Sequence, residues 1–457
     1  MKKNYTLTGV FIILGLLTSC SSDNGSEYTP LATQVIADAV ETNQNTSVVV
    51  NIFSNDVDVP SNGILTVTNP SHGSVEIQTG STANTILDDT VLYTPSNDYY
   101  GTDTFQYTIC SASNAQDCVS GTVTVTVLPM SPVNYSLTNI PYATLSEYNF
   151  FSGNMADQIP VYGVIPYEPI STLFTDYAHK KRFVWMPQGV NAQYVNDYSV
   201  LDFPIGTILI KSFYYENVLP NNTTRIIETR LMIRKENEWV FANYIWNDEQ
   251  TEAVMDNVGG YTLVEWVQNG ETLSTNYRIP SESECFTCHK IGATNTPIGP
   301  KPQNLNKIYG YDSGSENQLE KLATMGYLNS DYPTDIETVV NWEDTSQPLD
   351  LRVRSYLDIN CAHCHSDDRH CNYRPMRFAF NESWDEANLG VCVEPQELFD
   401  GLNYIVSPNN INRSMLYFRV STTLAQRRMP LLGRTLVHEE AVALIEDWIN
   451  SLTATCD

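Results

Sequence analysis

Basic residues are scarce in this chain of 457: 25 Lys and Arg stand against 53 Asp and Glu, a formal net charge of −28. That balance argues against nucleic acid as a partner, because nucleic acids are held largely by cations that neutralise phosphates. It favours solubility and can steer a basic partner. Long apolar runs are also missing. Beyond the first twenty residues, no segment approaches the roughly 20 apolar residues of a membrane-spanning helix. No nucleophile or acid–base constellation of a recognised kind is present, which leaves catalysis without a sequence signature.

What the chain does have is two short repeats. Cys285-Phe-Thr-Cys288-His289 and Cys361-Ala-His-Cys364-His365 both read C-x-x-C-H, the attachment signature of c-type haem. On one helical turn the two sulfurs share a face and can form thioethers to haem vinyl groups. His289 and His365 follow directly and can reach the iron as proximal ligands. The expectation is two covalently held haem c groups and single-electron transfer. C-x-x-C is also a zinc half-site, and the four thiols together could make one all-thiolate zinc site. The motifs start 76 residues apart, far longer than a zinc ribbon uses, and zinc does not explain the two histidines. A thioredoxin-like pair would need a βαβ setting, and neither motif has one.

The N-terminus fits export. Met1-Lys2-Lys3 precedes an apolar core, Val10 to Leu17, too short to span a bilayer as a mature helix. Leu17-Thr18-Ser19-Cys20 resembles a bacterial lipobox. The resemblance implies a signal peptide over 1–20, lipidation at Cys20, and anchoring to the outer membrane on its periplasmic or cell-surface face. Residues 21–34 read as a flexible tether. The remaining cysteines suit an oxidising compartment. Cys110 and Cys118 flank a polar turn and can staple a hairpin. Cys371 and Cys392 are taken as a second disulfide, leaving Cys456 unpaired, although spacing does not fix connectivity.

The fold class read from the chain is multidomain: an N-terminal all-β immunoglobulin-like sandwich, a second β-rich domain and C-terminal α-helical cytochrome c-like domains. Residues 35–130 alternate with period two, as in Gly121-Thr-Val-Thr-Val-Thr-Val-Leu128, between recurring turn signals. With Asn55-Asp56-Val57-Asp58 they resemble bacterial immunoglobulin-like and cadherin-like repeats of surface proteins. Asp56 and Asp58 read as turn formers, with calcium binding the alternative. Residues 148–280 carry further strands, including Ile205–Tyr215, Ile226–Arg234, Glu238–Trp246 and Tyr261–Trp266. Their polar residues Asp176, His179, Lys211, Glu228, Arg230 and Asp248 read as cross-strand charge pairs on a solvated face, or as a pocket.

Haem domains are expected over 281–348 and 349–457. In the first, Pro297-Ile-Gly-Pro300 resembles the segment of small cytochromes c whose Pro carbonyl orients the proximal His. Met325, at the end of an apolar-spaced helix, is the candidate sixth ligand. In the second, Leu351–Asn360 reads as a helix carrying Cys361. Met429-Pro430 then precedes a terminal helix, as in small class I cytochromes, and Met429 is the candidate distal ligand. His363 is read as facing away from the iron, and His370 and His438 as surface residues.

In order, Phe174-Thr-Asp-Tyr-Ala-His-Lys-Lys-Arg-Phe183, Asp202-Phe-Pro-Ile-Gly-Thr207, Glu228-Thr-Arg-Leu231, Trp246-Asn-Asp-Glu-Gln250, Tyr277-Arg-Ile-Pro280 and Gly299-Pro-Lys301 surround the first motif. Residues 150–457 thereby resemble a family of exported bacterial di-haem proteins of unassigned function, some fused to a quinoprotein sugar dehydrogenase. The resemblance implies an electron relay whose redox partner is a dehydrogenase or a basic cytochrome. A peroxidase-like haem enzyme with one open site, and a carbohydrate- or protein-binding surface lipoprotein, are the alternatives.

Overall fold

The computed structural model describes residues 28–399 and 401–456. The expected signal peptide, Cys20 and the start of the tether lie outside them. The chain divides into two compact units, up to Met130 and from Ser131 onward.

The first unit is an immunoglobulin-like β-sandwich. One sheet orders β1 (Asp38–Asn43), β7 (Asn114–Leu128), β6 (Gly101–Ser111) and β3 (Ile64–Val67); the other orders β2 (Val48–Val50), β5 (Thr90–Pro95) and β4 (Gly73–Gln78). The period-two pattern explains the core. Phe105, Tyr107 and Ile109 of β6 and Val123, Val125 and Val127 of β7 point inward and pack on Val91 and Tyr93 of the facing sheet. Gly121 is forced by contact: a Cβ there would lie 2.3 Å from the Tyr107 ring. Cys110 and Cys118 face each other across the β6–β7 hairpin and are disulfide-bonded. Asp56 accepts the Ile36 N–H at 2.7 Å and the Tyr107 hydroxyl at 2.7 Å, and Asp58 sits at φ +58°. Both belong to the turn. His72 is exposed and stacks on Tyr99.

The second unit is built on an eight-stranded antiparallel sheet. It orders β10 (Ile165–Pro166), β11 (His179–Trp185), β12 (Ile208–Val218), β13 (Thr223–Arg234), β14 (Trp239–Trp246) and β15 (Ala253–Met255), with β16 (Gly260–Gln268) beside β12 and β17 (Glu271–Ile279) beside β16. A small hairpin, β8 (Phe151–Ser152) and β9 (Ile159–Pro160), precedes it. Both faces are covered. The row Phe183, Ile210, Leu231, Ala242 packs under Tyr148, Phe150 and Phe151. The opposite row Val184, Leu209, Met232, Phe241 packs under Leu305, Leu319, Leu322 and Leu328.

That second packing corrects the expected fold class. Residues 281–348 do not form a helical cytochrome c-like domain. Their helices α1 (Glu282–Cys288), α2 (Pro302–Leu305) and α3 (Gln318–Thr324) are at most seven residues long. Their apolar side chains complete the core of the sheet instead of a bundle of their own. Two hairpins, β18 (Lys290–Ile291) with β19 (Thr294–Asn295) and β20 (Ile308–Tyr311) with β21 (Gly314–Asn317), fill the intervals. Residues 349–457 are no helical domain either. α4 (Leu349–Leu357), α5 (Met415–Ser421) and α6 (Glu439–Ser451) are separated by a long irregular stretch containing Pro375, Pro395 and Pro408, residues that interrupt helices. The expected contact between the flanking helices does form, with Val353 and Leu357 in one core with Ile445 and Trp448.

The second disulfide is also corrected. Cys392 bonds Cys456, and Cys371 is a buried free thiol. α6 returns the C-terminus to the loop that carries Cys392, so the bonded partner is distant in sequence.

Two outcomes follow from these units. Cys392–Cys456 closes a 64-residue interval, and the loop-entropy relation gives it ~4 kcal/mol. Cys456→Ser should lower the stability of the second unit by up to that amount in denaturant titration, whereas Cys371→Ser should not. In the first unit, burial and then the charge of Asp56 push Asp38 up to about 6, and its Oδ2 has no hydrogen-bond partner among the described residues. The folded pKa lies above the unfolded one, so the cost is absent below about pH 4, grows between about pH 4 and 6 and is constant above that. Asp38→Asn should therefore stabilise the sandwich by about 1–2 kcal/mol at pH 7–8, less than the full shift because solvent screens the carboxylate, with little gain at pH 4, read by thermal melts in metal-free buffer.

Candidate functional site: two adjoining cavities

Ser281 caps α1. Glu284 reaches back to the Ser281 N–H at 3.0 Å, forming a capping box. The helix is short and ends at Cys288, so His289 leaves it at once with its N–H still bonded to the Cys285 carbonyl, 2.9 Å. The β18–β19 hairpin then folds back and brings Thr296 against His289. The Thr296 carbonyl accepts from Nδ1 of His289 at 3.1 Å. That bond fixes the tautomer and leaves Nε2 with a free lone pair, the state of an iron-ligating imidazole. The orienting carbonyl is thus that of Thr296, one residue before the expected Pro297. Burial lowers His289 to about 4, so the ring is neutral at physiological pH.

The second motif leaves α4 through a π-helical turn, Asp358–Ala362. The Cys364 and His365 N–H groups both return to the Cys361 carbonyl, at 3.0 and 2.9 Å. Burial lowers His365 to about 4. Desolvation raises Cys285 to about 11 and Cys361 to about 12.

Each motif opens on a cavity. Cavity A is lined by Cys285, Cys288 and His289 and by the sheet residues Leu209, Met232 and Phe241. Cavity B is lined by Cys361, Cys364 and His365. The two adjoin: Cys288, Asn360, His363, Pro430 and Leu432 line both. The ligating atoms of Cys288, His363 and Cys364 lie within 4.8 Å of one another. Cys285 and Cys361 are outside that group, so the four-thiolate zinc site is not assembled. His363 is buried in this shared wall, with its Nδ1 unpartnered among the described residues.

The methionines divide. Met429 lines cavity B with His365, as do Met376 and Met415. Met325 caps α3, packs in the core under the sheet and lines neither cavity. Met232 is the methionine that lines cavity A. The Met429 loop is held by Arg434, buried to 4% exposure, whose guanidinium donates to the carbonyls of Met429 (2.9 Å), Leu436, Arg419 and Thr422. Asp176 in turn accepts the N–H groups of Thr435 (2.6 Å) and Leu436 (2.8 Å) and the Thr435 hydroxyl (2.7 Å). No motif or spacing in the sequence points to Arg434.

The other polar residues of the sheet separate by environment. His179 is exposed against Tyr214, and Asp248 pairs with Arg225 at the surface. Glu228 is fully buried, bonded by Arg230 and by the Tyr277 hydroxyl at 2.7 Å. Lys211 and Arg230 line cavity A. His438 is no surface residue: it stacks on Phe174 at 4.0 Å and meets the Tyr356 hydroxyl at 3.2 Å, and burial lowers it to about 3. His370 is exposed at the rim of cavity B.

Residues 28–126 match the bacterial Ig domain family. That identifies the first unit. No curated protein matches the chain. Among solved structures, it is similar to the "Crystal structure of the Protocadherin GammaB4 extracellular domain", at 9% identity over 55% of this chain with a TM-score of 0.18. The chain spans about half the length of that structure, with 49% covered. The family match ends at residue 126, so the resemblance of residues 150–457 to exported di-haem proteins rests on their own motifs.

Breaking the Asp176 clamp leaves two backbone donors unpaired. Asp176→Ala should cost about 2–4 kcal/mol in denaturant titration. Asp248→Ala, at a carboxylate 88% exposed, should cost under ~0.5 kcal/mol.

Proposed function

We propose that the protein is an exported, lipid-anchored c-type cytochrome that carries two covalent haem groups and relays single electrons. One observation carries the reading: the two C-x-x-C-H turns open on adjoining cavities that share Cys288 and His363, with Cys364 of cavity B within 4.8 Å of both. Cys285 and Cys288 would hold one haem and Cys361 and Cys364 the other, and the closeness of Cys288 to Cys364 supports a pair rather than two isolated centres. Attachment needs only a C-x-x-C-H turn and a cavity, so it does not depend on a helical cytochrome domain. His289 would hold the iron of haem one and His365 that of haem two, with Met429, on the loop that Arg434 fixes, as the second ligand for haem two. When bound, the haems supply the one-electron couple; the chain holds, orients and shields them. The charge of −28 suits a basic redox partner. A lipid on Cys20 would hold the relay at the outer membrane.

Expression with haem-attachment machinery should yield an intact mass greater than the polypeptide by two haem units and a matching pyridine haemochrome. One haem, or a zinc ion retained at Cys288, His363 and Cys364, would refute the proposal. Met429→Ala should remove a sulfur-to-iron band from the ferric spectrum and lower one of two midpoints, because thioether ligation raises the potential. Unchanged spectrum and midpoints would assign that position to another residue.

A further inference from the structure

The strand register places one row of side chains across the face of the sheet that lines cavity A. Arg182 of β11 pairs with Lys211 of β12, Lys211 with Arg230 of β13, and Arg230 with Asn243 of β14. Neighbouring strands are about 4.8 Å apart, so three cations stand side by side. All four residues line the cavity. Like charges directly opposite on adjacent strands are destabilising, and a half-buried setting makes them more so.

The protein's own acids balance the row only in part: Glu168 acts on Arg182 and Glu228 on Lys211, and Glu282, which also lines the cavity, accepts from the Asn257 amide at 3.4 Å. Glu228 answers Arg230 and is also bonded by Tyr277. Glu284 is taken by Arg278, and Glu168 by Lys307. Arg182 is 8% exposed, yet its guanidinium has no hydrogen-bond or ion-pair partner among the described residues. Among the described residues, the Lys211 amine has a cation–π contact with Phe213 at 4.8 Å and no hydrogen bond or ion pair. Asn243, 6% exposed, has both side-chain polar atoms unpartnered among the described residues. Buried polar groups are almost always hydrogen-bonded, so unpaired donors in a row on a cavity wall describe a site whose partner is a ligand. Burial and the charges of Arg182, Lys180 and Arg230 together hold Lys211 well below its ordinary pKa.

We infer that the row Arg182, Lys211, Arg230 and Asn243 is an oxyanion-binding site that takes carboxylate or small oxyanion groups inside cavity A. Guanidinium forks match the two oxygens of a carboxylate, the lysine adds a point charge and the amide a neutral donor. This chemistry has two sources: the propionate carboxylates of haem one, which rests on the di-haem reading, and a free oxyanion, which does not.

The test uses the full-length protein as purified, with Arg182→Gln, Lys211→Gln and the rescue variant Arg182→Lys. Lys181→Gln is the control, since Lys181 is adjacent in sequence and bonds the Asp157 carbonyl instead. Nitrite, sulfite and inorganic phosphate are titrated by calorimetry, and the haem midpoints by optical redox titration. For a free oxyanion, at least one probe binds wild type, binds the Gln variants at least tenfold more weakly, and is retained by Arg182→Lys and Lys181→Gln. For propionates, no probe binds, but the Gln variants lower one haem midpoint while Lys181→Gln leaves both unchanged. No probe binding together with unchanged midpoints overturns the inference. If the protein carries no haem, the di-haem reading fails by itself, and calorimetry on the same haem-free protein still decides the oxyanion site. If one Gln variant does not fold, the other gives the same readout.

Discussion

One buried carboxylate joins the two halves of the candidate site. Asp176 and Tyr177 both lie in the left-handed backbone region, at φ +44° and +62°, a conformation a tyrosine adopts at a cost on the order of 1 kcal/mol. The cost is offset because that turn aims the Asp176 oxygens at the Thr435 and Leu436 amides. Those amides fix the strap in which Arg434 sits, and Arg434 fixes the carbonyl of Met429. The sheet therefore sets the position of a loop more than 250 residues away in sequence, and that loop forms part of the walls of both cavities through Pro430 and Leu432.

The same arrangement explains why the two cysteine motifs meet. α1 is carried by the end of the sheet and α4 by the C-terminal core, and the strap closes the space between them. Each motif keeps its first cysteine inside its own cavity; Cys288 lines both cavities, in their shared wall, and Cys364 lies beside it on the cavity B side. His363, an interior residue of the second motif, completes that wall. Its identity is free in the C-x-x-C-H pattern, so the pattern says nothing of its role.

The strands were readable because period two is a local signal. Ile226–Arg234 and Glu238–Trp246 fall within a residue or so of β13 and β14, apart from three extra residues at the start of β13. The terminal helix was readable for the same reason, since its apolar spacing is repeated over three turns. What failed was long-range. Cys456 returns to Cys392 only through the packing of α6, which no spacing rule contains. Met325 ends a correctly placed helix, yet the helix faces the sheet core. The helical domains expected around the motifs were inferred from resemblance to small cytochromes; the apolar residues of the first cover the sheet, and those of the second fill a core built from three helices and irregular chain. The cation row was visible only as scattered basic residues, because register, and not sequence distance, makes them neighbours.

The Cys392–Cys456 bond sets an order of events. Its second sulfur lies beyond α6, so it cannot close until that helix has been made and has folded back. Throughout that interval Cys285, Cys288, Cys361, Cys364 and Cys371 are present as thiols, two of them in mutual contact. Oxidation that arrives early has five wrong partners to choose from. Maturation of this protein is thus a problem of timing: the chemistry of the inner cysteines has to be completed, or protected, before the last crosslink seals the fold.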